Sequence, residues 1–375
     1  MSLASEEISV FLQGRIDAGD FPSAAYLVAE KGEIVFQDAL GYAVVEPERI
    51  EARLDTIYDL ASLTKPLATG LLSAKLIESG ELDPNEPIGS ILNDLFASIN
   101  AEITPNDLAM HTSGLPAWKP FYLLVDHSDE VLGEIGCSLA DVGQQSVTYS
   151  DLNLMVLGFV CERINDQGLD ELFKEEIFLR LDLHDSFFNP PKTFRTRTAA
   201  SETGNEYERI MCQEKDPEIR IPRSAIRDRL IWGEVHDGNA FFMGGVAGHA
   251  GLFSTAEAVF KIALQFLPNY TTLLKPETCK LFSTNFTKGM NEDRSFAFQL
   301  ASTKDSSAGS RMSPESFGHT GFTGTSLWID PVKERIFVLL TNRTHMHTPP
   351  FVNMNPTRRR FHDQSIDLLE NKASN

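Results

Sequence analysis

At residues 58–69 the chain reads YDLASLTKPLAT, which places Ser62 three residues before Lys65. Side chains three apart on a helix lie on one face, so the Lys65 amine can reach the Ser62 hydroxyl and help turn a weak nucleophile into a strong one. A chain of this length and ordinary composition contains Ser-x-x-Lys about once by chance. The pair therefore predicts a catalytic serine only if its surroundings and partner motifs support it.

The surroundings of this pair predict a helix. It should begin near Ser62, run to about Ser79 and end at Gly80. Pro66 lies in its first turn, where a missing N–H costs least. The N–H of Ser62 would then point toward a pocket, and the helix dipole would favour developing negative charge there.

The remaining pattern predicts strands at both chain ends and mostly helices between them. One strand pair, 24–29 and 34–43, surrounds Lys31-Gly32, and a second, 325–329 and 335–341, surrounds Asp330-Pro331. The other predicted segments are helices at 6–16, 155–164, 168–181, 257–266 and 360–370, and a polar surface excursion at 190–230.

These elements predict an α+β fold: an antiparallel β-sheet built from both chain ends and flanked by helices, with an inserted, mostly α-helical lobe. We assign residues 1–80 and 250–375 to the sheet lobe and residues 81–249 to the inserted lobe.

Composition excludes several classes of protein. The net charge of −20 argues against nucleic-acid binding and against an anionic membrane surface, and no apolar run reaches the roughly eighteen residues of a membrane span. Four cysteines without Cys-x-x-Cys spacing predict free thiols in or near the core rather than disulfides or zinc. Residues 1–20 lack the pattern of a secretory signal, which favours a cytoplasmic protein. A leader removed before residues 1–3 would instead make it extracytoplasmic, so the compartment stays open.

Two further motifs follow the Ser-Lys pair. Tyr149-Ser150-Asp151 comes 87 residues after Ser62, and His319-Thr320-Gly321 comes 170 residues after Tyr149. An ammonium group beside a phenol helps the phenol act as a base, so Tyr149, Lys65 and Ser62 can form a proton relay.

With these three motifs in this order, the chain resembles the active-site serine β-lactamases and penicillin-binding proteins. The similar branch holds class C β-lactamases, D-Ala-D-Ala carboxypeptidases and β-lactamase-like esterases, whose motifs are Ser-x-x-Lys, Tyr-x-Asn and Lys-Thr-Gly or His-Thr-Gly. The resemblance covers nearly the whole chain and includes the stretches at 111–116 and 235–255.

The resemblance implies a role for each motif. Ser62 would be the nucleophile, Lys65 and Tyr149 the base system, and the N–H groups of Ser62 and Phe322 the oxyanion hole. The expected substrate-binding residues are Asp151, His319, Thr320 and Gly321. No cofactor and no metal are implied.

Two residues depart from the family pattern. Asp151 replaces the Asn of Tyr-x-Asn; it is either the cap of the following helix, a contact for a different substrate, or a counter-ion of Lys65. His319 replaces the Lys usual in β-lactamases, and an ordinary histidine there would change its charge near pH 6 to 7. Both departures favour a peptidase or an esterase over an efficient β-lactamase.

We therefore predict a serine hydrolase that forms an acyl-enzyme on Ser62 with a D-amino-acid peptide, a β-lactam or a short acyl ester. The alternative is a penicillin-binding sensor or scaffold that is acylated once and does not turn over. Oligomeric state is not predicted. His249 is either structural or part of the pocket, and His236-Asp237 is interpreted as a structural pair because no Gly-x-Ser-x-Gly motif accompanies it.

Overall fold

The computed structural model describes residues 5–92, 99–138, 146–222 and 225–373. Residues 1–3, before which a leader could have been removed, lie outside the described residues. The strands are β1 Ser23–Glu30, β2 Glu33–Val44, β3 Ile50–Glu51, β4 Tyr58–Asp59, β5 Phe187–Phe188, β6 Ala200–Thr203, β7 Leu230–Trp232, β8 Leu252–Ser254, β9 Arg294–Ser295, β10 Phe298–Leu300, β11 Phe317–Thr320, β12 Ser326–Asp330 and β13 Arg335–Thr341.

The α-helices of this part are α1 Glu6–Asp17, α2 Leu71–Ser79, α3 Pro105–Met110, α4 Phe121–Leu124, α5 Val131–Gly136, α6 Asp151–Asn165, α7 Leu169–Phe173, α8 Glu206–Lys215, α9 Gly238–Phe242, α10 Ala256–Ala263 and α11 Asn355–Ala373. The 3₁₀ turns are Ala61–Leu63, Ile88–Ser90, Ile99–Glu102, Ser128–Glu130, Lys192–Arg197, Leu264–Phe266 and Thr278–Phe282, and the π-helical turns are Lys65–Gly70 and Lys174–Phe178.

The predicted sheet of both chain ends is confirmed. Eight antiparallel strands lie in the order β3-β2-β1-β13-β12-β11-β10-β9. The two ends of the chain meet where β1 pairs with β13, with Ala24 opposite Thr341 and Glu30 opposite Arg335. The β1–β2 hairpin turns at Lys31 and Gly32, which both have positive φ, as the sequence predicts.

Alternate residues of β1 face the two sides of the sheet, and both sides are covered. Tyr26 and Val28 pack in the core below α1 and α11, whereas Leu27 and Ala29 pack in the larger core with α2, α6 and α10. The period of two follows from the strand geometry. A sheet covered on both faces gives a fixed platform for the residues at the end of β11.

The helix predicted after Ser62 has the expected extent and a different internal geometry. It consists of a 3₁₀ turn at Ala61–Leu63, a π-helical turn at Lys65–Gly70 and then α2, and it ends at Gly80 with φ of 80°. Single π-helical turns inside helices are frequently found at functional sites. Ala61 has a φ of 49°, so the residue before Ser62 is in the left-handed region, which is costly for a residue with a Cβ.

Several predicted boundaries are wrong. Helix α6 begins at Asp151 rather than Met155, and α11 begins at Asn355 rather than Arg360. Within its described residues, the supposed surface excursion 190–230 contains β6, α8 and the buried residue Glu208, because its charged groups find partners inside the protein. Cys137 is exposed, whereas Cys161, Cys212 and Cys279 are buried free thiols.

The division into lobes at 80/81 and 249/250 stays a prediction.

Among the helices described, none combines the length and the apolar character needed to cross a membrane.

Candidate active site

The predicted site residues surround one cavity of about 600 Å³. It lies where the turn at Ala61–Leu63, the start of α6 and the end of β11 meet the segment that contains α8. The predicted residues that line it are Ser62, Tyr149, Asp151, His319, Thr320, Gly321 and Phe322. Lys65 lies behind Ser62 and is fully buried. The structure thus brings together three motifs that are far apart in the sequence.

Lys65 is the centre of the polar network. Its Nζ atom donates to Ser62 Oγ at 2.8 Å and to the carbonyl oxygen of His249 at 3.1 Å. It also lies 2.7 Å from Asp151 Oδ1 and 5.1 Å from the centroid of the Tyr149 ring. An ammonium group has three donors, and these three oxygens use all of them.

The environment of Lys65 favours its charged form. Burial lowers the pKa of Lys65, but the charges of Asp151 and Tyr149 and the hydrogen bond to Asp151 raise the pKa above its ordinary value. Lys65 is therefore an ammonium at neutral pH. In that state it can orient Ser62 Oγ and attract negative charge, but it cannot accept the Ser62 proton.

Asp151 is a counter-ion rather than a helix cap. Ser150 is the N-cap of α6, and Asp151 is the first helical residue, where its carboxylate also suits the positive end of the helix dipole. The side chain of Asp151 is 19% exposed, so it lies between Lys65 and the cavity. Of the alternatives that the sequence left open, the helix cap is wrong and the ion pair with Lys65 is present, whereas a contact between Asp151 and a substrate stays a prediction.

Tyr149 lies between two histidines and two cations. The centroid of its ring is 4.7 Å from that of His111 and 5.7 Å from that of His319. The guanidinium carbon of Arg294 lies 5.4 Å from the same centroid. The residue is 37% exposed, so a substrate can reach it from the cavity. His111 in turn accepts the N–H of Ser150 on Nδ1, which fixes the backbone beside Tyr149.

His319 is buried and neutral. Its Nδ1 lies 2.9 Å from the carbonyl oxygen of Thr320, so Nδ1 carries the proton and Nε2 is free to accept a hydrogen bond. Burial first, and then the charges of Lys65 and Arg294, lower the pKa of His319 well below 6.5. The change of charge near pH 6 to 7 expected for an ordinary histidine is therefore wrong for this one.

The turn after β11 is tied to the backbone before Ser62. Thr323 Oγ1 donates to the carbonyl of Asp59 at 2.8 Å, and Thr325 Oγ1 donates to that of Leu60 at 3.1 Å. A Cβ on Gly321 would lie 2.5 Å from the Leu60 oxygen, so only glycine permits this approach. These contacts fix the spacing between Ser62 and Phe322, the two residues whose N–H groups are predicted to form the oxyanion hole.

Three arginines that no motif predicts also line the cavity: Arg294, Arg343 and Arg358. Arg294 pairs with Glu292 at 2.9 Å. In the described part of the chain, Arg343 and Arg358 donate to carbonyl and amide oxygens and to no carboxylate. Burial lowers the pKa of Arg343 to about 10 and that of Arg358 to about 9, so both stay charged at neutral pH.

Sequence reasoning missed these arginines for identifiable reasons. Arg358 lies in the first turn of α11, two residues before the predicted start of that helix at residue 360, and Arg343 follows β13 in a loop without a recognisable pattern. Tyr207, Glu208 and Met211 line the opposite part of the cavity and belong to the segment interpreted as a surface excursion. The apolar Ile210-Met211-Cys212 within that polar segment was the available signal of burial.

Two histidine–carboxylate pairs lie beside the cavity. His236 Nε2 is 2.7 Å from Glu202 Oε2, in agreement with the structural interpretation of His236. His249 Nε2 is 3.0 Å from Asp237 Oδ1, and Asp237 lines the cavity. Ligand atoms of Asp151, Asp237 and His249 lie within 4.8 Å of one another, as in a metal site. The Lys65 ammonium already neutralises Asp151, and its charge disfavours a metal cation at this position.

Known proteins resemble this chain over nearly its whole length. The family model described as Beta-lactamase matches residues 10–356. A protein of Escherichia coli (strain K12) named "Putative D-alanyl-D-alanine carboxypeptidase" is 32% identical over 364 residues, which are 89% of this chain and 81% of that protein.

Two solved structures share the fold at lower identity. EstCE1, a hydrolase with promiscuous acyltransferase activity, superimposes with a TM-score of 0.72 at 19% identity, and the superposition covers 95% of this chain and 97% of the EstCE1 chain. A Beta-Lactamase/D-Alanine Carboxypeptidase from Pseudomonas syringae superimposes with a TM-score of 0.72 at 14% identity, and the superposition covers 96% of this chain and 97% of the Pseudomonas syringae chain.

Proposed function

The chain belongs to the beta-lactamase family and is a serine hydrolase, and we propose that it removes the last residue of peptides that end in D-alanyl-D-alanine. Ser62 would form the acyl-enzyme and water would release it. The name of the Escherichia coli relative supports this substrate class. The observation that carries the proposal is the set of arginines in the cavity wall.

Arg358 is a buried cation and Arg343 a half-buried one, and neither is paired with a carboxylate of the described residues. Their guanidinium groups are held by the carbonyl groups of Phe322, Gly321 and Thr325, next to Thr320 in the cavity. A buried charge without a partner is costly, so a bound anion would be strongly favoured here. Arginine matches a carboxylate with two parallel hydrogen bonds. The terminal carboxylate of a peptide supplies that anion, whereas a simple ester does not.

Tyr149 is the base in this proposal. The Lys65 ammonium already donates to Ser62 Oγ, which leaves the Ser62 hydroxyl proton free to pass to a neighbouring acceptor. In this proposal Tyr149 reacts as the phenolate, and the cationic groups of Lys65 and Arg294 lie 5.1 Å and 5.4 Å from the centre of its ring.

The proposed reaction has two halves. Ser62 Oγ attacks the scissile carbonyl carbon while its proton passes to Tyr149, and the N–H groups of Ser62 and Phe322 stabilise the oxyanion. The C–N bond then breaks, and Tyr149 returns the proton to the leaving amine of D-alanine. Water repeats the sequence on the acyl-enzyme, again losing its proton to Tyr149, and Ser62 is regenerated.

The test compares three peptides that share one sequence: one ending in D-Ala-D-Ala, its C-terminal amide, and its L-Ala-L-Ala counterpart. We expect D-alanine release from the first at a rate at least about a hundredfold above the amide, since the amide lacks the charge that the arginines bind. Arg358→Gln should reduce the ratio of the rate with the D-Ala-D-Ala peptide to the rate with its amide. This ratio does not depend on the fraction of enzyme that is folded. The surface variant Arg209→Gln, outside the cavity, should keep it.

Intact-mass spectrometry with a penicillin, with Ser62→Ala as the control, distinguishes the alternatives. A persistent adduct on Ser62 together with peptide cleavage supports the carboxypeptidase. A persistent adduct without cleavage of any peptide supports the non-turnover penicillin-binding protein, and rapid loss of the adduct with consumption of the drug supports a β-lactamase. Cleavage of short acyl esters alone, without peptide cleavage, supports an esterase.

A further inference from the structure

The Asp237–His249 pair lies beside the base system, and the proposed reaction gives it no role. His249 is almost fully buried, and its backbone oxygen accepts the hydrogen bond from Lys65 while its ring contacts Asp237. Asp237 is also the N-cap of α9, where its carboxylate accepts the N–H of Ala240 at 2.8 Å. One short chain of contacts therefore leads from α9 through His249 to the ammonium of Lys65.

We propose that Asp237 and His249 are positioning residues of the base system: the Asp237 side chain holds the His249 ring, the His249 carbonyl holds Lys65, and the Asp237 anion helps to keep Lys65 charged. The inference rests on the proposed roles of Ser62, Lys65 and Tyr149. It assigns to the 235–251 segment a part in acylation that none of the three motifs supplies.

The carbonyl contact explains why the ring must be fixed. Lys65 has three acceptors, and the His249 oxygen is the one that comes from outside the three motifs. The glycine-rich turn at 244–251 carries that oxygen, and Thr69 Oγ1 holds the turn next to it by donating to the carbonyl of Gly248 at 2.6 Å. The His249 ring, bonded to a helix cap, adds an anchor at the residue whose oxygen contacts Lys65. Gly248 also packs against Leu154 of α6, where a Cβ would lie 2.0 Å from the Leu154 oxygen.

The charge of Asp237 acts on the same ammonium. Burial alone would raise the pKa of Asp237. The charge and hydrogen bond of His249, the N–H of Ala240 and the charge of Lys65 outweigh burial and lower the pKa below its ordinary value, so Asp237 stays ionised. Because the interaction is mutual, Asp237 stabilises the ammonium form of Lys65. The other titratable or charged groups that face Asp237 are Asp59, Glu208 and Arg227, and those that face Lys65 are Asp151, Tyr149, His111 and His319.

Asp237→Asn isolates the charge. Asparagine caps a helix as well as aspartate does, and its side-chain oxygen can still accept the N–H groups of Ala240 and His249. We expect the rate of acylation to fall by at least about tenfold, and the basic limb of its pH profile to move to lower pH by roughly one unit, because Lys65 loses part of its negative surroundings. Asp107→Asn makes the same chemical change at the start of α3, outside the cavity, and should leave both quantities unchanged.

His249→Gln and His249→Ala test the ring. Glutamine can donate an amide N–H to Asp237, whereas alanine cannot. We expect His249→Ala to lose at least about tenfold in acylation rate and His249→Gln to recover most of that loss. A variant whose only defect is folding would lower the amount of active protein, measured by titration of reactive Ser62, without moving the pH profile.

The readout is the rate at which a fluorophosphonate labels Ser62. In this reaction Ser62 Oγ bonds to phosphorus, fluoride leaves, and the serine proton passes to the base. The rate does not depend on the natural acyl donor, so a failure to release D-alanine overturns the proposed substrate and not this inference. An Asp237→Asn enzyme with the wild-type rate and an unmoved basic limb overturns it, and so does a His249→Ala enzyme that labels as fast as wild type.

Discussion

The Oδ1 atom of Asp151 lies 2.7 Å from the Nζ atom of Lys65, and the Lys65 side chain is completely excluded from solvent. The family motif has an asparagine where this chain has Asp151, so the departure places a full negative charge against the lysine that contacts Ser62. The pair keeps Lys65 charged and fixed beside the nucleophile. Asp151 therefore bears on both stability and the pH at which the enzyme works.

Asp151→Asn, which restores the family motif, should lower the free energy of unfolding by about 1–3 kcal/mol because it leaves the buried Lys65 charge without its nearest counter-ion. The same loss lets burial lower the pKa of Lys65, so the basic limb of the acylation rate should move to lower pH. Urea unfolding and fluorophosphonate labelling across pH measure the two effects. In a Lys65→Met background the destabilisation should largely vanish; an equal loss in both backgrounds would contradict the pairing.

Tyr149→Phe should abolish most of the acylation while leaving the fold intact. The phenylalanine ring preserves the contacts with His111 and His319, and only the hydroxyl is lost. Removal of a general base typically lowers a rate by about 10²–10⁴-fold. The single-turnover rate of adduct formation measures this, with the melting temperature as the control. A variant that retains more than about a tenth of the wild-type rate would show that another group takes the Ser62 proton.

Gly321→Ala should disturb the oxyanion hole. Its Cβ would meet the Thr325 Oγ1 atom at 2.0 Å and the Leu60 oxygen at 2.5 Å, so the turn that carries Phe322 must move away from Ser62. We expect kcat to fall by about 10²-fold, the cost of a misplaced oxyanion donor. Gly14→Ala is the matched control: it lies in α1 with nothing within 4 Å of the added Cβ. That variant should keep its kcat and gain about 0.5–1 kcal/mol in stability. A Gly321→Ala enzyme with normal kcat would argue against Phe322 as a donor.

His362 should make the protein less stable in mild acid. Burial lowers the pKa of His362 from 6.5 to about 3, so the unfolded chain binds a proton between these values that the folded protein does not. Stability from this group is therefore lost as pH falls below about 6.5. Urea unfolding should show the wild-type advantage over His362→Gln shrinking by about 2 kcal/mol between pH 6.5 and 5.

The comparison with His362→Gln is needed because other buried groups oppose this trend. Burial raises the pKa values of Asp59, Glu162 and Glu208, which stabilises the folded state as pH falls. Those contributions are common to both proteins and cancel in the difference. A difference that stays constant from pH 6.5 to 5 would mean that His362 titrates normally in the folded state.

The sequence by itself determined the framework and the three motifs. Strand periodicity and the Lys31-Gly32 turn predicted β1 and β2, and the same reasoning predicted β12 and β13, because local backbone preferences and alternating burial are written into short segments. Ser62, Lys65, Tyr149 and His319 could be identified because their order and spacing form a recognisable pattern, and the structure places all four together around one cavity.

Only the tertiary structure decided what surrounds these residues. The counter-ion role of Asp151, the neutral state of His319, and the presence of Arg294, Arg343 and Arg358 in the cavity wall depend on contacts between segments that are dozens to hundreds of residues apart. Burial and neighbouring charges set the ionisation of each group, and both arise only when distant segments pack together. A local pattern can therefore name the nucleophile, but it cannot give the charge of the groups that activate it.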